Sequence, residues 1–321
     1  MIAAVPTPMR SDTALNLKPI QALAEYYANE GADGVYIAST YGEGYSLTLE
    51  ERQRLSAWWA EVIRGTSMKL IVHVGHHSVT DARELAAHAA KVGAYAIASG
   101  SPSFFKPNNP ERLVAVCQQI AAGGKSLPFY YEDQPQWTGV GLTMTEFLGL
   151  GRKRIPTLAG LLYSNPDLGK FQNCACLYDG AFEIIFGHEQ LLLAGLALGA
   201  EAAVGGSLAY AMPIYRRLTQ AFIAGDMEKA RIEQARITEL METLDRYGTL
   251  VAGKAVLAMV GIDCGPPRLP LGGLTASQQN SLRFDLERLE YFDWIGPYHT
   301  HSRKPVAKSD PAKSGPAQAF G

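Results

Sequence analysis

The feature that most constrains this chain is a recurrence of form rather than of letters. Short, mostly apolar runs rich in β-branched and aromatic residues return about every 20 to 36 residues, and each leads into a stretch with helical spacing. The runs are 2–8, 35–39, 69–75, 94–100, 128–133, 158–163, 182–187 and 202–206; helical spacing follows at 17–29, from Thr48 onward, at 80–92, 110–122, 143–150 and 189–198. Runs without polar alternation read as strands buried on both faces, as in parallel sheets. Strand and helix in strict alternation predict βαβ units. Eight such units in the first ~220 residues predict a (β/α)8 TIM barrel, an α/β fold. The competing doubly wound sheet lacks its mark, because no glycine-rich dinucleotide fingerprint follows the first strand.

Local signals agree with this division. Thr48-Leu49-Glu50-Glu51 is a capping box. After Leu158–Tyr163, Asn165 is read as a helix cap with Pro166 at the first helical position. The barrel is expected over 1–225. A C-terminal group of helices (226–246, 250–260, 275–289), interrupted by the rigid loop Cys264-Gly265-Pro266-Pro267-Arg268-Leu269-Pro270, is expected to pack on it over 226–292. The Pro-, Ser- and Lys-rich tail 293–321 has too little apolar content to order itself and is expected to be disordered.

Composition excludes several classes of function. A formal charge of −2 gives no electrostatic reason for nucleic acid or an anionic membrane as partner. No apolar run is long enough to span a bilayer, and the N-terminus has no signal-peptide layout. The four cysteines form no disulfide framework, and Cys174 and Cys176 lack a second ligand pair for zinc. Reduced thiols and a cytoplasmic location are expected.

In a barrel of this kind the chemistry belongs to strand C-termini and the loops beyond them. That rule selects Thr40, Tyr41 and Glu43; His76 and His77; Phe104 and Phe105; Glu132 and Asp133; Leu162; His188 and Glu189; Gly206 and Ser207. The histidines with Glu132 and Glu189 are the available set for a divalent metal, but they carry no close-spaced ligand motif, and no metal or cofactor is expected. His73, inside the third run, is read as a hydrogen-bonded core residue, and the glycines around Glu43 as turn residues.

Several stretches together resemble the N-acetylneuraminate lyase/dihydrodipicolinate synthase family, nearest its animal-type lyases. They are Thr40-Tyr41-Gly42-Glu43-Gly44 with Glu50-Glu51-Arg52, His73-Val74-Gly75, Leu127-Pro128-Phe129-Tyr130-Tyr131, the run 155–161 and Gly265-Pro266-Pro267-Arg268-Leu269-Pro270. The resemblance spans most of 1–290. It implies a lysine at the end of the sixth strand that forms a Schiff base with a 2-keto acid. That position falls on Leu162, which has no nucleophile.

The resemblance further implies a proton-shuttling tyrosine three residues before a proline. Counted from Pro135, it falls on Glu132. Tyr131 is expected on the opposite side of the strand, because side chains alternate. Of two adjacent hydroxyl residues implied after the second strand, Thr40 fills the first place and Tyr41 replaces the second. Sugar-chain contacts implied for an Asp-Glu pair fall on Glu189-Gln190. A substrate serine falls on Gly206, with Ser207 beside it.

The resulting expectation is an aldolase-type lyase relative acting on a small keto or hydroxy acid without an imine. Glu132, Thr40 and Tyr41 would be its catalytic set, and Leu162, Phe104, Glu189, Gly206 and Ser207 would line the substrate. The alternative is a catalytically inactive barrel that binds a ligand or partners another subunit. Lys254, matching a lysine common in the family, is expected in a structural ion pair. A homo-oligomer, tetramer or dimer, is implied by the resemblance.

Overall fold

The computed structural model describes residues 1–296. Eight parallel strands form its centre: β1 (Ile2–Ala4), β2 (Gly34–Ile37), β3 (Lys69–His73), β4 (Ala96–Ser99), β5 (Phe129–Asp133), β6 (Leu158–Tyr163), β7 (Glu183–Phe186) and β8 (Val204–Gly205). They pair in the order β7-β6-β5-β4-β3-β2-β1-β8. A parallel bridge between Phe186 and Ala203 brings the two ends together, so the sheet is a nearly closed barrel. The TIM-barrel expectation holds, and helices fill the intervals between strands.

Side-chain alternation divides each strand between two cores. Tyr36, Ile71, Ala98, Tyr130, Leu162, Ile185 and Val204 fill the barrel interior. Val35, Ile37, Val72, Ile97, Phe129, Tyr131 and Tyr163 face the surrounding helices. The pairing of β5 with β6 shifts register between Phe129 and Tyr130, yet Tyr131 stays outside, its ring 4.8 Å from that of Phe147. Glu132 therefore lies on the interior side with Tyr130, opposite Leu162 in the ladder.

The capping box is present: the Thr48 side chain accepts from the Glu51 amide and the Glu51 side chain accepts from the Thr48 amide, opening helix Leu49–Val62. The expected cap at Asn165 is not. Helix Leu168–Ala175 begins two residues later, with Asp167 accepting from the Lys170 amide, while Asn165 accepts from the Asp167 amide in the preceding turn. A carboxylate at the N-cap also complements the positive helix end. Helix Leu208–Ile223, interrupted at Ala211 and carrying Pro213, was not anticipated.

Helices Met227–Asp245, Thr249–Met259 and Ala276–Arg288 follow the barrel. A short helix, Tyr291–Ile295, orders the first residues of the expected tail, with Tyr291 buried and its hydroxyl donating to the Tyr210 carbonyl. The rest of that expectation, 297–321, lies outside the described residues. No helix among the described residues is long and apolar enough to cross a membrane.

Candidate active site

The barrel mouth is built around one buried carboxyl. Glu132 is 5% exposed and ends the inward face of β5. Its Oε2 accepts from the Tyr36 hydroxyl at 3.1 Å, and its Oε1 accepts from Gln134 Nε2 at 2.8 Å. Gln134 in turn accepts from Thr40 Oγ1 at 3.0 Å through its own Oε1. Thr40 and Glu132 therefore belong to one hydrogen-bonded row, joined through a glutamine that sequence reasoning overlooked. Burial pushes the Glu132 carboxyl up to about 7, with the Tyr36 hydrogen bond opposing. Such a group exchanges protons at neutral pH.

A cavity of about 60 Å³ opens beside this row, lined among others by Ser39, Thr40, Tyr41, Gln136, Trp137 and Ser164. Ser39 Oγ, buried on its wall, has no hydrogen-bond partner among the described residues. The volume holds a few water-sized groups and is well below the several hundred Å³ of sites for larger ligands. Trp137 and Gln136 reach the mouth from the short helix Pro135–Thr138, whose proline sits at its first position. Sequence reading used Pro135 only for spacing, although Pro-Gln-Trp after a strand end was the available signal.

Tyr41 narrows the cavity. Its ring packs against the backbone of Gly206, where a Cβ would lie 2.2 Å from Tyr41 Cε1. The loop that carries Tyr41 is tightly folded. Ala38 and Glu43 take left-handed conformations (φ 52° and 54°), and a Cβ on Gly44 would lie 1.8 Å from the Ala38 carbonyl oxygen. Glu43 pins the loop from behind: it is bonded to Lys254 Nζ and accepts from the Arg268 amide at 2.7 Å. Both partners of the Glu43–Lys254 pair are buried, which agrees with the structural ion pair expected of Lys254.

Other anticipated contacts fall elsewhere. Leu162 is fully buried in the interior layer with Tyr130 and Ile185 and does not line the cavity. Phe104 is 78% exposed, edge-on to Phe105, and forms no part of the wall, because the loop after β4 turns it to solvent. Glu189 is not part of the cavity wall. It accepts from the amide and hydroxyl of Ser207 at 2.6 and 2.5 Å, at the start of helix Leu208–Ile223, where a carboxylate satisfies unpaired helix donors. Burial raises its proton affinity, and those donors lower it. Ser207 is likewise committed, to Glu189 and to the Tyr215 hydroxyl, so neither residue meets the cavity. Gly206 serves Tyr41.

His76 and His77 sit on the rim; His76 accepts from the Ser78 amide, and the His77 ring lies 5.6 Å from that of Tyr45. No group of three or more His, Cys, Asp or Glu among the described residues is arranged to hold a metal. None of the residues lining the cavity is a lysine.

A buried carboxyl at the C-terminal mouth of a (β/α)8 barrel, walled by short polar loops, lies at the face where barrels of this class carry their functional sites. The chain belongs to the dihydrodipicolinate synthetase family, whose model matches residues 1–289. It is 36% identical over 288 residues to N-acetylneuraminate lyase A of Xenopus laevis, covering 89% of this chain and 92% of the other. The chicken (Gallus gallus) N-acetylneuraminate lyase is 35% identical over 297 residues, covering 91% and 96%. Among solved structures, Proteus mirabilis N-acetylneuraminate lyase superposes with a TM-score of 0.88 at 34% identity, covering 90% of this chain and 98% of that one. The family is of the aldolase type.

Proposed function

We propose that this barrel acts on a small keto or hydroxy acid by proton transfer through Glu132, without a Schiff base. The observation that carries this reading is the row Tyr36–Glu132–Gln134–Thr40, which points a carboxyl of near-neutral proton affinity into a cavity that no lysine lines. A Schiff base needs an amine within reach of the carbonyl. The nearest strand-end candidate by resemblance is Leu162, sealed below the cavity. Ser39, Thr40 and Ser164 supply hydroxyls to orient a carboxylate or hydroxyl of the substrate, and the Tyr41 ring limits its length. One base with fixed donors suffices for proton abstraction next to a carbonyl, as in dehydration and isomerisation, and for removal of the β-hydroxyl proton in retro-aldol cleavage, where the released enolate is then protonated.

The test is exchange in D2O. Pyruvate, lactate and malate incubated with the protein are followed by proton NMR, together with borohydride treatment and intact mass. Deuterium uptake beside the carbonyl or hydroxyl carbon that is lost in Glu132→Gln, with no mass added by borohydride, is the expected result. A lysine adduct of pyruvate would overturn the imine-free mechanism. Ligand binding without any exchange or turnover would favour a binding barrel, a reading that the small cavity and the Tyr41 ring also support.

A further inference from the structure

Behind the cavity lies a cation that the reading above does not use. Arg52, on helix Leu49–Val62, is 2% exposed and forms no ion pair with a carboxylate among the described residues. Its Nη1 donates to the Gly75 carbonyl at 2.8 Å and its Nη2 to the His73 carbonyl at 2.6 Å, while its Nε is buried with no partner among the described residues. A guanidinium taken out of water without a counter-ion is costly, so its compensation must be sought nearby.

His73 supplies the link. Arg52 Nη2 lies 3.2 Å from His73 Nδ1, and across the ring His73 Nε2 lies 3.6 Å from Glu132 Oε2. A guanidinium has donors only, so Nδ1 must accept, which assigns the imidazole proton to Nε2, on the side of Glu132. The Gly100 amide points its N–H at the same Nε2 across a longer 3.4 Å, so two donors compete for one ring lone pair and the shorter contact, from Arg52 to Nδ1, is the one this assignment satisfies. Burial and the Arg52 charge both disfavour a second proton on the ring, which therefore stays neutral. The imidazole bridges a buried cation and a buried acid.

We propose that Arg52 is the fixed counter-charge of Glu132, acting through the Nε2–H tautomer of His73, and that both are positioning residues for the Glu132 proton. This deepens the reading of Glu132 as the acid/base group and rests on it. The groups facing Glu132 from each neighbouring element are Tyr36 on β2, His73 on β3, Tyr45 from the loop before Leu49–Val62, and Gln134 after β5. None of them is charged at neutral pH, so Arg52, one residue further back, is the cation closest in sequence of contacts. The ionised trio Arg52, His73 and Glu132 is electrically neutral, whereas protonating Glu132 leaves Arg52 uncompensated.

The test uses full-length protein labelled with 13C at glutamate Cδ and 15N at histidine. The Glu132 signal is identified by its loss in Glu132→Gln. Removing the charge with Arg52→Gln is expected to raise the Glu132 midpoint by about one pH unit. Arg52→Lys, which keeps the charge, is expected to hold it close to wild type. In the wild type, His73 is expected to be protonated at Nε2 and bare at Nδ1. A Glu132 midpoint unmoved in folded Arg52→Gln, or a wild-type imidazole protonated at Nδ1, would overturn the proposal; the second readout decides even if Arg52→Gln does not fold. Failure to find turnover, with the Arg52 dependence intact, would refute the catalytic reading and leave this linkage standing.

Discussion

The ring of Tyr41 fills the place a side chain at Gly206 would need: a Cβ at 206 would stand 2.2 Å from Tyr41 Cε1 and 2.4 Å from Cζ. The two residues come from opposite ends of the barrel sequence, one after β2 and one after β8. They behave as a single choice between a large ring with no side chain opposite and a smaller residue facing a serine or alanine.

Gly206→Ala is therefore expected to destabilise the wild type by about 1–3 kcal/mol through overpacking. The same change in a Tyr41→Ala background is expected to cost much less. Thermal or urea unfolding of the four proteins in a double-mutant cycle measures this coupling. Equal costs in both backgrounds would show that the ring moves away freely.

Stability should fall as pH rises through neutrality, because of Glu132. Its folded carboxyl is raised from an ordinary 4.5 to about 7 by burial. The folded state then holds the proton more tightly than the unfolded chain. The associated stabilisation is complete below about 4.5 and is lost as pH climbs through about 7, an effect of about 3 kcal/mol at about 1.4 kcal/mol per pH unit. Asp133, raised to about 6, acts in the same direction. The comparison that isolates Glu132 is Glu132→Gln: its stability relative to wild type is expected to improve between pH 4.5 and 7.5 in urea denaturation. A constant difference across that range would mean the carboxyl is not shifted.

Breaking the Glu43–Lys254 pair from one side should be more harmful than removing both charges. Lys254→Met leaves a buried carboxylate facing only the Arg268 amide, at an expected cost of about 3–5 kcal/mol. Adding Glu43→Gln to Lys254→Met is expected to recover part of that loss. Unfolding midpoints of the single and double variants give the answer.

Leu162→Ala removes side-chain volume from the fully buried interior layer and is expected to cost about 2–5 kcal/mol. Since Leu162 does not line the cavity, exchange or binding by the surviving folded protein should be preserved at low temperature. Loss of ligand binding in a folded Leu162→Ala would place the ligand deeper than the present cavity.

The barrel was legible in the sequence because each strand is an apolar run with no competing helical reading, and the capping box at Thr48 and Glu51 is a strictly local device. Helix Leu208–Ile223 was missed for an equally local reason: Pro213 and the non-helical Ala211 interrupt its pattern, and tertiary burial holds it together. The start after β6 was read two residues early, since Asn165-Pro166 satisfies the same rules as the actual cap, Asp167.

In the site, Glu132 was readable from side-chain alternation along one strand. Its neighbours were not. Tyr36, His73 and Arg52 come from three other elements, and no short spacing connects them. Glu189 and Phe104 sit near strand ends as anticipated, but the start of a helix claims one and solvent the other. Position along a strand predicts height in the barrel; it does not tell which partner a side chain will find there.

Glu43 gives the C-terminal helices a standing in the active site that their distance along the chain conceals. The loop bearing Thr40 and Tyr41 is tied down by a side chain from helix Thr249–Met259 and by a main-chain amide at Arg268. The architectural border near residue 225 is thus no place to cut: a barrel excised there would keep its staves and lose the hoop that holds its mouth in shape.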